Sequence, residues 1–206
     1  MYSKKGIGSW LKYYEKTGKR PPRETLLFAL NEFEKHSLKG ENTPLAIDLG
    51  CGNGRDTVEM LKRGWRVLAI DAEPSAIEGI SARINEEKKN FLETKICRFE
   101  SVLLPKSQLI NSSFALPLVS PIDFPNLWKK ILDALLPEGL VSCQLYGERD
   151  SWFGDPTITF LSRSDIDALL SPLQLEYFRE EEEDSTTPRG IQKHWHIYHI
   201  VARRSY

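Results

Sequence analysis

Apolar residues along the 206-residue chain fall into two patterns, short continuous runs and longer stretches with helical spacing. Continuous apolar runs bounded by turn residues are typical of buried strands, whereas apolar positions that recur every three or four residues predict amphipathic helices. The first pattern predicts strands in residues 44–50, 65–71, 91–99, 108–116 and 140–147. The second predicts helices in residues 21–38, 53–64, 73–90, 123–139 and 162–172.

The order of these elements predicts an α/β fold. Strands that alternate with helices form right-handed βαβ units, in which helices cover both faces of a mostly parallel sheet. Residues 173–184 and 193–204 are two further extended segments without a predicted helix between them, so we expect an antiparallel hairpin with its turn at or near "STTPRG". No repeat or linker divides the chain, and we therefore expect one domain over residues 1–206.

Composition and charge exclude several classes of function. With 40% apolar residues, 28% charged residues and a net charge of -1, the chain is typical of a globular protein that binds neither nucleic acid nor an anionic membrane. The basic residues near its start predict a solvated helix face rather than a phosphate-binding patch. These residues are Lys4, Lys5, Lys12, Lys16, Lys19, Arg20 and Arg23.

Targeting signals and metal motifs are not predicted. The first residues lack the apolar region of a secretory signal, and no apolar run approaches the ~20 residues of a membrane span. Cys51, Cys97 and Cys143 are too far apart for a CxxC pair or a zinc site, so no metal is expected. These features indicate a reduced, cytoplasmic protein, and none of them requires an obligate protein partner.

The stretch "LAIDLGCGNGRDT" carries the strongest chemical signal. Gly50, Gly52 and Gly54 directly follow a predicted strand, at the place where open α/β sheets bind ligands. A dinucleotide-binding loop has the pattern G-x-G-x-x-G, but counted from Gly50 the third glycine falls on Arg55. An NAD(P)-dependent enzyme is therefore an alternative that this spacing disfavours.

Two acidic residues narrow the choice of ligand. Asp48 precedes the glycines, where a carboxylate repels a pyrophosphate but attracts an ammonium or sulfonium group. Asp71 ends the next predicted strand, close to the ~20-residue offset at which an acid accepts hydrogen bonds from ribose hydroxyls. A nucleoside with a cationic tail and no phosphates satisfies both acids, and S-adenosylmethionine is such a molecule.

The segments "AIDLGCGNGRDT" and "VLAIDAEPSAI" resemble the first two motifs of class I S-adenosylmethionine-dependent methyltransferases. The likeness covers the element order of almost the whole chain, and "LINSSFALPLVSP" with "FPNLWKKILDALLPEG" is similar to the small tellurite-resistance-type branch. The resemblance implies a Rossmann-like, doubly wound sheet of seven strands in the order 3-2-1-4-5-7-6, with strand 7 antiparallel. It also implies an N-terminal helical lid in residues 1–40 and a core in residues 44–206.

The same resemblance implies the residues that bind the cofactor. Asp71 matches the residue that binds the ribose, and Ala72 matches the residue beside the adenine. This chain lacks the acid that many relatives carry after the third strand, so Phe99 or Glu100 is expected to contact the adenine. The residues that match the loop around the methionine part are Asp48, Gly50, Cys51, Gly52 and Gly54, and those expected at the floor of the site are Asn111 and Ser112.

Candidate catalytic residues follow from the implied topology. Strand 5 ends and the antiparallel strand 7 begins at the cofactor edge, which places Asp150 and His196 near an acceptor. His196 is expected to orient the acceptor or take its proton, whereas His194 lies nearer the turn and His199 faces the opposite side. A structural histidine is the alternative for each. The aromatic residues of the implied lid are Trp10, Tyr13 and Tyr14, of which Tyr14 is a further catalytic candidate.

These features favour methyl transfer from S-adenosylmethionine to a small-molecule acceptor. The apolar stretch "SFALP" stands where methyltransferases of nucleobase amino groups carry N-P-P-Y, which favours a small acceptor over a macromolecule. A module that binds the cofactor without catalysis is a second alternative, because the charge pattern suits both.

Overall fold

The computed structural model describes residues 13, 14, 17, 20–36, 43–187 and 190–205. Within this part of the chain, eight strands form one sheet in the order β3-β2-β1-β4-β5-β8-β7, and the short β6 pairs with β5. The strands are β1 (Leu45–Leu49), β2 (Arg66–Asp71), β3 (Leu92–Ile96), β4 (Ser107–Ser112), β5 (Leu135–Gly147), β6 (Phe160–Leu161), β7 (Leu173–Thr186) and β8 (Gln192–Arg204).

The strand order confirms the predicted doubly wound fold. Strands β1 to β5 pair in parallel, and β8 runs antiparallel to both β5 and β7. The two-residue β6 was not predicted, and it alone changes the numbering of the hairpin from strands 6 and 7 to β7 and β8. Because β1, β2 and β4 are parallel, their carboxyl ends meet at one edge, where Asp48, Asp71 and Asn111 lie.

Helices cover both faces of the sheet. Leu26 and Leu30 of α1 are fully buried against one face, and Ile131 of α5 with Ile166 of α6 is fully buried against the other. Each such side chain contributes about 1.5–3 kcal/mol by leaving water. No helix in the described residues is both long enough and apolar enough to cross a membrane. The helices are α1 (Glu24–His36), α2 (Arg55–Lys62), α3 (Pro74–Ser81), α4 (Glu86–Lys89), α5 (Phe124–Ala134) and α6 (Arg163–Leu170).

Helix α1 belongs to the packed core, although its residues fall within the implied lid of residues 1–40. Its buried side chains pack against β1, β4, β5 and β8. The amide of Gln144 on β5 donates to the Thr25 hydroxyl at 2.8 Å, which fixes the first turn of α1 over the carboxyl half of that strand. This contact brings Arg23 and Glu24, just before and at the start of α1, to the edge of the sheet where the glycine loop lies.

Two predicted helices are shorter than expected. The predicted helix of residues 73–90 is divided into α3 and α4, because the Asn85 side chain accepts the Lys88 N–H at 3.2 Å and starts a new helix. The predicted helix of residues 123–139 ends at Ala134. A proline disfavours helical backbone in the residue before it, and Pro137 therefore ends the helix earlier than the expected Pro-Glu-Gly stop.

Candidate active site

The glycine loop between β1 and α2 exposes bare backbone at the carboxyl edge of the sheet. Its three glycines have left-handed backbone: Gly50 with φ 70°, Gly52 with φ 53° and Gly54 with φ 82°. The N–H groups of Gly50 and Cys51 donate to the Ile70 carbonyl at 2.8 and 3.1 Å, which ties the loop to β2. A methyl group on Gly50 would lie 2.2 Å from Ala115 Cβ, so no side chain fits at this position.

Asp71, the last residue of β2, holds the middle of the glycine loop. Its Oδ2 accepts the Gly52 N–H at 2.9 Å, and its Oδ1 accepts the Glu73 N–H at 3.0 Å. Burial raises the pKa of Asp71, and these backbone N–H groups act in the opposite direction. Since each carboxylate oxygen has two lone pairs, both can still accept a hydrogen bond from a ligand hydroxyl.

Asp48 lies beneath the loop in a buried polar cluster. The Thr57 hydroxyl donates to its Oδ2 at 2.5 Å, and the Asn111 amide donates to its Oδ1 at 2.9 Å. The carboxylate of Asp56, in the first turn of α2, accepts the Ser113 hydroxyl at 2.5 Å. Burial, and then the Asp56 carboxylate, raises the pKa of Asp48 to about 7. Asp48 therefore carries less than its full negative charge at neutral pH unless a cation stabilises it.

Asn111 and Ser112 are both buried at the end of β4. The Ser112 hydroxyl donates to the Leu49 carbonyl at 3.0 Å, whereas Asn111 Oδ1 has no hydrogen-bond partner. Asp56 belongs to the same cluster but was not predicted. Its signal in the sequence is an acid in the first turn of the helix that follows the glycines.

Tyr14 covers the loop from the N-terminal side. A methyl group on Gly52 would lie 3.1 Å from Tyr14 Cε1, and the Tyr14 carbonyl accepts the Asn53 amide at 3.2 Å. Burial raises the pKa of Tyr14 well above its ordinary value, so the phenol stays protonated at neutral pH and cannot act as a base. The Tyr13 ring packs edge-on against it at 5.9 Å, and Trp10 lies outside the described residues.

The residues expected beside an adenine lie at the other end of the loop. The ring of Phe99 is half-buried, and a methyl group on Gly50 would lie 3.3 Å from its Cζ. The Glu100 carboxylate is exposed and lies 3.5 Å from Arg98 Nε, and Ala72 is exposed. Of these residues, the structure brings Phe99 to the loop and turns the Glu100 carboxylate toward its neighbour Arg98.

His196 is held inside the terminal hairpin. Its Nδ1 accepts the Arg149 N–H at 3.1 Å, and its Nε2 lies 2.9 Å from Glu180 Oε1. The residue is 1% exposed. His194 is likewise paired, with Asp184 at 2.8 Å. Since both nitrogens of His196 have protein partners, this placement argues against the hypothesis that His196 orients the acceptor or takes its proton.

Asp150 is also engaged with the protein. Its carboxylate forms a buried ion pair with the Lys193 ammonium. The Lys193 Nζ lies 3.9 Å from the centre of the Trp152 ring and 4.3 Å from that of Trp195. An ammonium group is attracted to the faces of aromatic rings, so these contacts stabilise the pair. The arrangement argues for a structural role of Asp150 rather than the predicted catalytic one.

A cavity of about 330 Å³ adjoins the glycine loop on the side of β4, and we call it the arginine pocket. The pocket was not predicted from the sequence. Phe114 connects it to the loop, because the next residue in the chain, Ala115, meets Gly50. The arginine pocket is lined by Phe114 and His199, by the arginines Arg20, Arg23, Arg55 and Arg179, and by the glutamates Glu24 and Glu181.

Phe114 has a left-handed backbone with φ 59°. This conformation is uncommon for a bulky residue and costs about 1–3 kcal/mol, and strain of this kind concentrates at functional sites. The Arg23 guanidinium lies over the Phe114 ring, with its Cζ 4.3 Å from the ring centre. The His199 ring packs edge-on against Phe114 at 6.3 Å. Phe114 thus holds two polar side chains at one wall of the pocket.

The prediction that the basic N-terminal residues form a solvated face is wrong for Arg23. Its Nε is buried without a hydrogen-bond partner, and burial lowers the pKa of Arg23 to about 10. The burial of Arg23 has a local cause. Pro21 and Pro22 line the pocket, and the Arg23 N–H donates to Asp56 at 3.0 Å, which turns the Arg23 side chain toward the pocket. The lysines of that predicted face lie outside the described residues.

Comparison with known proteins shows what the chain is similar to. Residues 46–139 match the sequence family described as a methyltransferase domain. No curated protein sequence matches the chain. TehB from Haemophilus influenzae has a similar structure, with a TM-score of 0.74 and 15% identity over 94% of this chain. The chain spans 66% of the length of that protein.

Two further solved structures share the fold. The N-methyltransferase NodS from Bradyrhizobium japonicum WM9, in complex with S-adenosylhomocysteine, has a TM-score of 0.64 and 14% identity, with 89% of this chain and 85% of NodS covered. The 1,6-didemethyltoxoflavin-N1-methyltransferase from Burkholderia thailandensis has a TM-score of 0.61 and 17% identity, with 89% and 78% covered. At these identities the similarity concerns the fold.

Proposed function

We propose that the chain is a class I S-adenosylmethionine-dependent methyltransferase that transfers the methyl group of this cofactor to a small-molecule acceptor. The observation that carries the proposal is the arginine pocket beside the glycine loop. Its volume of about 330 Å³ lies in the range of roughly 300–1,000 Å³ that is typical of small-molecule sites. An acceptor of that size would lie next to the cofactor.

The residues around the glycine loop fit the cofactor. Gly50 lets the loop pack directly against Ala115, and the two oxygens of Asp71 suit a pair of ribose hydroxyls. We assign the ribose to Asp71, the adenine to Phe99, and the attraction of the ammonium group to the charge of Asp48. When bound, S-adenosylmethionine supplies a methyl group that its sulfonium sulfur makes electrophilic.

The residues of the chain then have to align the acceptor with that methyl group. Methyl transfer from a sulfonium is an in-line displacement, so positioning provides most of the catalysis. We assign the positioning to the wall formed by Phe114, Arg23 and His199, which adjoins the loop. Tyr14, which covers the loop, would keep water away from the reacting atoms.

One of the similar structures supports a small acceptor. The Burkholderia thailandensis methyltransferase contains 1,6-didemethyltoxoflavin together with S-adenosylhomocysteine. A small molecule and the demethylated cofactor are therefore held together by that protein, whose fold this chain shares over 89% of its length.

The test is turnover with labelled cofactor. Purified protein and methyl-labelled S-adenosylmethionine are incubated with panels of small thiols, oxyanions, amines and carboxylates, and in parallel with protein and nucleic-acid fractions. We expect label in a small-molecule product. Label confined to a macromolecular fraction would contradict the proposal. Cofactor binding without any labelled product would instead favour a module that binds the cofactor without catalysis.

A further inference from the structure

We propose that the arginine pocket binds the methyl acceptor through a carboxylate, which the Nε–H of Arg23 and the Nδ1–H of His199 hold together. The inference deepens the proposed function, on which it rests, by naming a small organic acid as the acceptor class. It comes from two buried nitrogens without a hydrogen-bond partner, Arg23 Nε and His199 Nδ1, whose residues line one pocket.

The charge of the pocket favours an anion. Four arginines line it against two glutamates, and Arg179 forms ion pairs with both Glu24 and Glu181. Arg55 lies 3.5 Å from the Asp56 carboxylate. The positive charge of Arg23 has no ion-pair partner at comparable distance among the described residues. A partly desolvated guanidinium of this kind attracts a carboxylate strongly.

Arg23 is held in place as a donor. Its guanidinium stacks on Phe114, and its own backbone N–H is bound to Asp56, so both ends of the residue are fixed. Leaving a buried charged donor unpaired costs more than leaving a neutral one unpaired. The vacant hydrogen bond of Nε is therefore better explained by a ligand that completes it than by packing alone.

His199 supplies the second donor. Arg179 Nη2 lies 3.2 Å from His199 Nε2, and because a guanidinium only donates, this contact favours an accepting Nε2 with the ring hydrogen on Nδ1. Glu181 Oε2 lies 3.3 Å from the same Nε2, and Glu24 Oε1 lies 3.7 Å from Nδ1, beyond hydrogen-bond distance. Burial, and then the Arg179 guanidinium, lowers the pKa of His199 to about 4, so the ring is neutral near pH 7. A neutral ring with Nδ1–H donates one hydrogen bond to the pocket.

The size of the pocket favours an organic acid over a bare ion. A volume of about 330 Å³ holds several more non-hydrogen atoms than a carboxylate provides. The Phe114 ring offers an apolar surface for those atoms. The methyl-accepting atom would then lie at the end of the ligand that points toward Ala115 and the glycine loop.

A second carboxylate could use the same donors, because the methionine part of the cofactor also carries one. The experiment therefore measures the affinity for an added acid and the affinity for the demethylated cofactor. Protein saturated with S-adenosylhomocysteine is titrated by calorimetry with benzoate and acetate, and with the matched neutral compounds benzamide and acetamide. The affinity for S-adenosylhomocysteine is measured separately. The variants are Arg23→Gln and His199→Phe, and the control is Arg66→Gln, an exposed arginine at the amino end of β2.

We expect the wild type to bind each carboxylate at least about tenfold more tightly than its amide, as the loss of charged hydrogen bonds predicts. Arg23→Gln and His199→Phe should each reduce that preference to below about threefold, and Arg66→Gln should keep it. All three variants should bind S-adenosylhomocysteine like the wild type. The ¹⁵N chemical shifts of His199 should show the Nδ1–H form and should change when benzoate is added.

Several results would overturn the proposal. These are equal affinity for acids and amides, a preference that survives in both variants, or a His199 ring with its hydrogen on Nε2. An Arg23→Gln protein with native circular dichroism but at least about tenfold weaker S-adenosylhomocysteine binding would assign the donors to the cofactor carboxylate instead. If the Arg23→Gln protein does not fold, the preference of the His199→Phe protein for acids over amides decides the test alone. Turnover on another acceptor would leave the methyltransferase function standing in each case.

Discussion

Replacement of Asp71 by alanine separates two roles of one side chain. In the free protein its oxygens accept the N–H groups of Gly52 and Glu73, and in the complex we expect both oxygens to accept ribose hydroxyls as well. The backbone bonds exist with and without cofactor, so their loss lowers the free energy of unfolding. The ribose bonds exist only in the complex, so their loss lowers the affinity for cofactor.

The size of each effect follows from the contacts. A hydrogen bond to a charged group contributes about 1.5–3 kcal/mol, so Asp71→Ala should weaken S-adenosylhomocysteine binding by about 1.5–3 kcal/mol, or roughly 10- to 150-fold in Kd. Loss of the Gly52 and Glu73 bonds should lower the free energy of unfolding by a similar amount. Asp71 is 9% exposed, so water replaces these bonds poorly.

Calorimetry measures the affinity, and urea denaturation measures the stability. The control is Asp133→Ala, which removes the same charge from an exposed side chain on α5 and should change neither quantity. A folded Asp71→Ala protein with wild-type affinity for S-adenosylhomocysteine would show that another residue makes the ribose contact.

Three further substitutions test the same geometry. Gly50→Ala should abolish cofactor binding, because its Cβ would lie 2.2 Å from Ala115 Cβ. Gly64 is equally left-handed but has no neighbour within 4 Å, so Gly64→Ala should only lose about 1–2 kcal/mol of stability. Similar losses of cofactor binding in both variants would contradict this. The pKa of Asp48 is raised to about 7, so the contribution of its protonated form to stability is complete below pH ~4 and is lost as the pH rises through 7. Asp48→Asn should therefore gain stability relative to the wild type between pH 5 and pH 8. A stability difference that does not change with pH in urea titrations would argue against this. Lys193→Met should lower the free energy of unfolding by about 3–5 kcal/mol, because it leaves the Asp150 carboxylate buried and unpaired; a change below about 1 kcal/mol in urea denaturation would contradict this.

The sequence predicts those residues of the site that lie within one continuous stretch of the chain. The apolar runs of β1 and β2, the three glycines and Asp71 follow one another within a single βαβ unit, and the fold of such a unit is fixed by a small set of rules. The strand order of the whole sheet, which the resemblance implied, was confirmed as well. Asp48 was also identified, although its burial with Asn111 depends on the register between β1 and β4.

The acceptor side depends on contacts between distant segments, and the sequence could not supply them. Strand alternation placed His196 and His199 on opposite faces of β8, but it did not show which face adjoins the arginine pocket. The position of the pocket depends on Arg23 and Phe114. Arg23 precedes α1 and Phe114 follows β4, and the two residues meet only in the folded chain. A basic residue next to two prolines has no local signal that distinguishes a pocket from a solvated face.

The proposed function requires the glycine loop to bind a sulfonium nucleoside and not a dinucleotide. Parallel calorimetric titrations of the purified protein with S-adenosylmethionine, S-adenosylhomocysteine and NAD test it most directly. We predict one binding site per chain for the first two ligands and no heat of binding for NAD. Saturable binding of NAD together with no binding of S-adenosylmethionine or S-adenosylhomocysteine would contradict the account.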